Sequence, residues 1–307
     1  MPCPYVDDMM YNHHMDKKIS IIFCGTPDFA IPALRALASD PVFDVKLVIT
    51  QPDKPVGRKK TVTPPAVKVL AIDLDIPLLQ PENVNDELPA YLMQHPDDQP
   101  DFLVVVAYGK ILSQAVLDLP RIAPVNVHGS VLPRWRGASP VEHAILAGDM
   151  ETGVTVQIMA AELDAGPILS SATIPVTPID RSTSLRQTLS ELGADLLIDT
   201  LKSSLKPVNQ PTEGITFCRK LTKEDGMVDR LTMTAIDLDR HVRALNPWPG
   251  VTCDIESHTV KILEATMEQV PHGIPVGCAE ETTLFVLRVQ PPGGKAMAAE
   301  EWRRGIH

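Results

Sequence analysis

Apolar, β-branched runs at 19–23 (ISIIF), 45–49 (VKLVI) and 102–106 (FLVVV) alternate with stretches at about 28–39, 64–73 and 85–94 that read as helices. Strands separated by helices predict an α/β fold with a doubly wound, mostly parallel sheet, Rossmann-like in layout. A further helix at about 182–201 carries Leu185, Leu189, Leu192, Leu196 and Leu197 on one stripe, a face to pack on the same domain. The chain then changes character. SSLKPVNQPTEG, residues 203–214, is rich in Ser, Pro and Asn and reads as a linker. From 250 onward short alternating strands (VTCDI, TVKIL, TLFVLRV) separated by Gly and Pro turns suggest a small β-barrel of the OB-like kind. The expected organisation is an extension over 1–16, a large α/β domain over 17–203, a linker over 204–224 and a small β-barrel over 225–307.

Composition sharpens this picture in three places. Hydrophobic residues make up 44% and charged residues 22% of the 307, with no apolar run near the roughly 18 residues a membrane helix needs, so a soluble, cytoplasmic protein with no membrane partner is expected. The net charge of -11 argues against a general affinity for nucleic acid. The loop 51–68 is the exception, setting Lys54, Arg58, Lys59, Lys60 and Lys68 against the single Asp53. Five cysteines, at 3, 24, 218, 253 and 278, form no CxxC pair and no cluster with histidines, so neither a metal site nor a disulfide framework is expected. The leader MPCPYVDDMMYNHHM has neither the apolar core of a signal peptide nor the Arg-rich character of a transit peptide. It reads as an appendage, with Met15 a candidate natural start.

The chemistry concentrates in NVHGSVLPRWRGASP, residues 126–140. Apolar residues before it and an apolar helix after it place Asn126 and His128 at a strand end, two apart and so on one face. Open α/β sheets keep their ligands there. Moving an acyl group to an amine needs a base for the amine proton and a donor for the charge developing on the carbonyl oxygen, and His128 and Asn126 provide one of each. Asp164, in AELDAGPI between two apolar segments, is the candidate to orient the imidazole. The first turn, CGTPDF, lacks the GxGxxG of a dinucleotide site, which disfavours nicotinamide and flavin cofactors.

NVHGSVLPRWRG resembles the NxHxSLLPxxRG signature of the folate-dependent formyltransferases, and LDAG, at the family's spacing, resembles their LDTG. Val131 and Ala165 depart from the usual Leu and Thr at positions that need no reactive side chain. The resemblance implies 10-formyltetrahydrofolate as formyl donor, with no metal. It assigns polarisation of the formyl group to Asn126, proton handling to His128 and support of the histidine to Asp164. It further implies that Ser130, Val131, Leu132 and Pro133 contact tetrahydrofolate, and that VVAYGKIL, through Tyr108 and Gly109, lies beside the pteridine.

Within that family FCGTPDFAIPALRAL, TQPDKPVGRKK, RKLTKEDG, NPWPG and QPPGGKAMAAEEW are similar, in order, to the branch acting on methionyl-tRNA. That implies an initiator methionyl-tRNA acceptor, a monomeric enzyme, a C-terminal domain that touches tRNA, and a basic loop that enters the acceptor end through Arg58, Lys59 and Lys60. Arg134 and Arg136 are candidates for the terminal phosphates, although each could equally pair with a carboxylate. Two rival readings remain at this point: an amino-sugar formyltransferase, which has no need of the GRKK loop, and a non-catalytic tRNA-binding protein on the same scaffold, which has no use for the Asn, His and Asp trio.

Overall fold

The computed structural model describes residues 18–57 and 60–306; the expected extension over 1–16, and Arg58 and Lys59, lie outside the described residues. Along the chain come β1 (Ile19–Gly25), α1 (Ile31–Ser39), β2 (Phe43–Ile49), β3 (Lys54–Val56), β4 (Thr61–Thr63), α2 (Ala66–Asp73), β5 (Leu78–Leu79), α3 (Val84–Gln94), β6 (Phe102–Val106), α4 (Gln114–Leu117) and β7 (Ala123–His128). There follow β8 (Arg136–Gly137), α5 (Pro140–Ala147), β9 (Glu151–Ile158), β10 (Ile168–Pro175), α6 (Ser182–Lys202), β11 (Phe217–Cys218) and α7 (Ala235–Leu245). The chain closes with β12 (Val251–Ile255), β13 (His258–Thr266), β14 (Ile274–Gly277), β15 (Thr283–Gln290), β16 (Met297–Ala298) and α8 (Ala299–Gly305).

One sheet runs in the order β10-β9-β7-β6-β1-β2-β5. The pairs β1/β2, β1/β6, β2/β5 and β6/β7 are parallel and β7/β9 is antiparallel, which is the doubly wound, mostly parallel sheet expected. The central strands are covered on both faces, which is why their apolar runs are continuous rather than alternating. Ile21 and Phe23 belong to one core with Leu34, Leu37, Val104 and Leu197, while Ile22 and Cys24 belong to the other with Leu47, Leu88, Leu103 and Tyr108. The order reverses between β1 and β6, since the chain moves from β1 outward to β2 and β5 and then returns to the opposite side. A crevice outside the carboxyl ends of those two strands is therefore the natural ligand position. Gly25 and Val106 end them in register, and a Cβ on Gly25 would stand 2.7 Å from the Phe23 ring and 2.8 Å from the Ala30 side chain.

Helix α6 departs in detail from its expected stripe. Its buried line runs through Leu185, Leu189, Ala194, Leu197 and Leu201, while Leu192 and Leu196 are only half-buried. Gly193 explains the rotation. A Cβ there would lie 2.9 Å from Cγ1 of Val127, so the helix turns its smallest residues toward β7 and comes close behind the strand that carries Asn126 and His128.

By its contacts the chain divides into two compact units, one made of the segments ending at Arg136, Gly153–Thr173 and Gln187–Thr216, the other of Gly137–Thr152, Ile174–Arg186 and Phe217 onward. In the second unit α5 packs on α7. Helix α7 is amphipathic at regular spacing, burying Ala235, Leu238, Val242 and Leu245, with Thr234 as its N-cap accepting from the Asp237 amide. An antiparallel sheet of order β12-β13-β15-β14, with β16 also on β15, completes this unit and is consistent with a small barrel. Among the described residues no helix is long and apolar enough to cross a membrane.

Candidate active site

Strand β7 places the two polar residues expected of it. Asn126 sits in register between Val105 of β6 and Gln157 of β9, and His128 stands opposite Thr155. Asn126 is half-exposed, and its side-chain amide makes no hydrogen bond to a described residue. His128 is only 6% exposed, so its surroundings dictate its chemistry. Its Nε2 lies 2.8 Å from the Trp135 carbonyl oxygen, which can only accept, so Nε2 carries a hydrogen. A neutral ring then holds its lone pair on Nδ1, the atom 3.6 Å from Oδ2 of Asp164.

That arrangement differs from the expectation in one respect. The imidazole is fixed by a backbone carbonyl, and the Asp164 carboxylate waits beyond hydrogen-bond distance from the other nitrogen. A proton arriving at Nδ1 would meet a carboxylate placed to stabilise the imidazolium. Asp164 is in turn held by Gln157, whose Nε2 donates to its Oδ1 at 3.1 Å. The turn that brings it there admits only glycine two residues later, because a Cβ on Gly166 would stand 1.8 Å from the Ile158 carbonyl oxygen. Trp135 (φ 61°), Asp164 (φ 50°) and Ala107 (φ 47°), each close to the β6 and β7 strand ends or bonded there, hold left-handed backbone without being glycine. Such a conformation costs each on the order of 1–2 kcal/mol, so the packing around them over-determines their positions.

The residues expected at the folate are placed unevenly. Ser130 and Leu132 are buried while Val131 and Pro133 are half-buried. The Ser130 hydroxyl donates to the Arg134 carbonyl at 2.6 Å, and Thr155 ties the segment to β9 by donating to the Ser130 carbonyl at 2.7 Å and accepting from the Leu132 amide at 3.1 Å. Thus the two alternate residues that can face a ligand are Val131 and Pro133. The Tyr108 ring lies in the core, where burial raises its phenol above the ordinary value, and its carbonyl already accepts from Thr26 Oγ1 at 3.0 Å and Gln51 Nε2 at 2.7 Å. What this stretch exposes is Ala107, Gly109, the latter at φ 77°, and the Ile111 side chain.

Of the expected RNA contacts, Lys60 is exposed at the start of β4, whose antiparallel partner is β3. Lys68 is not free, since its ammonium holds Asp53 at 2.8 Å, and Asp53, also bonded by Gln80, is kept below the usual carboxylate range. Arg134 is exposed, with its guanidinium 4.5 Å over the Trp135 ring. Arg136, the other candidate for a phosphate contact, is 6% exposed; its Nε and Nη2 both donate to Gln210 Oε1 at 3.1 and 2.8 Å, and its Nη1 lies 3.7 Å from the Glu162 carboxylate. Thr155, Gln157, Gln210 and the Trp135 carbonyl lie outside the residues expected from the sequence. The first two carry a signal, polar residues two apart within the apolar GVTVQI strand, whereas Gln210 sits in a segment that reads as plain linker.

Comparison with known proteins gives the family. The formyl transferase family model matches residues 17–201 and its C-terminal domain model matches 220–307. A methionyl-tRNA formyltransferase of Lysinibacillus sphaericus (strain C3-41) is 41% identical over 305 residues, covering 93% of this chain and 96% of its own. One from Pseudomonas fluorescens (strain SBW25) is 42% identical, covering 92% of each. The N-formyltransferase of Helicobacter canadensis, solved on complex with folinic acid and dTDP-3-aminofucose, shares the fold at TM-score 0.64 and 14% identity, over 87% of this chain and 98% of its own. The chain belongs to the formyl transferase family, among the methionyl-tRNA formyltransferases.

Proposed function

We propose that the chain transfers the formyl group of 10-formyltetrahydrofolate to the α-amino group of initiator methionyl-tRNA, giving N-formylmethionyl-tRNA for translation initiation. The observation that carries this reading is the strand end itself, where the Asn126 amide, unpartnered among the described residues, stands two residues from a histidine whose lone-pair nitrogen faces a carboxylate.

The donor fits the residues present: half-buried Val131 and Pro133 and the exposed small residues Ala107 and Gly109 suit a flat heterocycle, which binds best to apolar surface with little side-chain bulk. When bound it supplies a formyl carbon open to attack. Asn126 donates to the formyl oxygen, where negative charge develops as the amine bonds to carbon. His128 accepts the proton that the amine must lose, at Nδ1, and Asp164 stabilises the resulting cation. The bond from the formyl carbon to the folate nitrogen breaks as the new carbon–nitrogen bond forms, and that nitrogen needs one proton. His128 can return the one it took, so the balance closes without an external acid and without a metal.

For the acceptor, the supporting feature is charge in an acidic chain. Arg58, Lys59 and Lys60 lie between β3 and β4, and Arg134 is exposed four residues beyond Ser130. We assign them to the tRNA phosphates, with the C-terminal domain as a second contact surface, and place the enzyme in the cytoplasm as a monomer. The test is to incubate the protein with 10-formyltetrahydrofolate and, in parallel, charged initiator methionyl-tRNA or a nucleotide-linked amino sugar. Formylmethionine in the first reaction alone is the expected result. Formylation of the sugar alone would transfer the chain to the amino-sugar reading, and formylation of neither would leave a binding module.

A further inference from the structure

Gln210 lies in the segment 203–214, far in sequence from every residue of the site, yet its carboxamide is fully engaged there. Its Nε2 lies 2.8 Å from the Asp164 carbonyl oxygen, 2.8 Å from that of Gly166 and 3.3 Å from Gln157 Oε1. Its Oε1 accepts both Nε and Nη2 of Arg136, at 3.1 and 2.8 Å. The Asp164 turn is thereby gripped twice, by Gln157 on the carboxylate and by Gln210 on the backbone either side of Ala165.

We infer that Gln210 is a positioning residue for formyl transfer, clamping the Asp164 turn so that the carboxylate stays opposite His128 Nδ1, with Arg136 orienting the clamp. Three features support a positioning role over general packing. The hydrogen bonds end on the backbone of a left-handed residue, Asp164 at φ 50°, a conformation that needs outside support. The amide orientation is fixed, because the Arg136 fork only donates and must face oxygen, which turns the two N–H groups onto the carbonyls. Arg136 is buried, so the oxygen side has little freedom to swap for water. At a separation of 3.6 Å between Nδ1 and Oδ2, a small shift of the turn removes the carboxylate from the position at which it can act.

The inference rests on the formyl-transfer reading above, and the experiment separates the two. Wild type, Gln210→Glu, Gln210→Met, Asp164→Asn and the two double variants are assayed for formyl transfer to charged initiator tRNA. Gln210→Glu keeps an acceptor for Arg136 and removes the two donors, while Gln210→Met keeps length without polarity, so at least one is expected to fold. Each single Gln210 variant should lose about tenfold in kcat, with KM for donor and tRNA within about twofold of wild type. In the Asp164→Asn background the same changes should cost less than about twofold, because the group being positioned is gone. Equal losses in both backgrounds, or an unchanged kcat in the single variants, would overturn the assignment. Wild type without formyl transfer would instead overturn the functional reading.

Discussion

The strand end around His128 and the basic hairpin β3/β4 treat charge in opposite ways. At the strand end the ionisable groups are held: His128 by the Trp135 carbonyl with Asp164 3.6 Å away, Asp164 by Gln157, Arg136 by Gln210. At the hairpin Lys60 is exposed, and the pairing of Lys68 with Asp53 lies at its base. Arg134 and Arg136 repeat the contrast within three residues, one exposed over Trp135 and one buried as a fork. Nearness to a site in sequence does not tell which arginine meets phosphate. Chemistry needs groups fixed before the substrate arrives, since small displacements are costly, whereas phosphate binding works through exposed charge and the release of counterions.

The comparison is broken most sharply at the fixed end. His128→Ala should lower kcat by about two to four powers of ten, the range for losing a general base, while tRNA affinity measured by filter binding stays within a few-fold. A loss of only a few-fold in kcat would mean that proton transfer runs through another group. Next in size is Arg136→Met, which should lower stability by about 1–3 kcal/mol in urea unfolding because it removes a buried side chain and both donors to the Gln210 Oε1, and should leave the salt dependence of tRNA binding unchanged. A flattened salt slope with intact stability would return Arg136 to the phosphate-binding set.

At the exposed end, replacing Arg58, Lys59 and Lys60 together by Ala should flatten the log–log salt dependence of tRNA binding by about one unit or less for each phosphate that is no longer neutralised, with donor binding unaltered. An unchanged slope makes the loop solvated surface. Smallest of all, Arg134→Met should remove no more than about one such unit and should leave unfolding within about 0.5 kcal/mol of wild type, as an exposed side chain predicts. Loss of stability comparable to Arg136→Met would erase the distinction between the two arginines.

Much of the fold is readable in the chain, for identifiable reasons. Doubly covered parallel strands leave continuous apolar runs, so β1, β2 and β6 are visible, and the polar pair Asn126 and His128 marks the end of β7. The short strands β3, β4 and β5, with three, three and two residues, carry too little periodicity to register. Helix α7 has regular spacing but is hard to delimit, because the preceding MVDRLTMT mixes apolar and polar residues without a period. At the candidate site the groups proposed to react stand out in the sequence and their neighbours do not: a carbonyl such as that of Trp135 leaves no mark on side-chain type, and Gln210 reaches Asp164 across 46 residues. The stripe of α6 is displaced for a similar reason, since a glycine that lets a helix approach adds no hydrophobic signal.

Asn126 is the one group of the trio whose side chain has no partner among the described residues, and single-turnover formyl transfer with Asn126→Ala at saturating donor and methionyl-tRNA tests its role directly. The prediction is a rate about two to three powers of ten below wild type, with an unfolding midpoint and tRNA affinity essentially those of wild type, because the missing amide bonds only the developing charge on the formyl oxygen. A variant that transfers formyl groups at close to the wild-type rate would contradict the assignment of this strand end as the catalytic site.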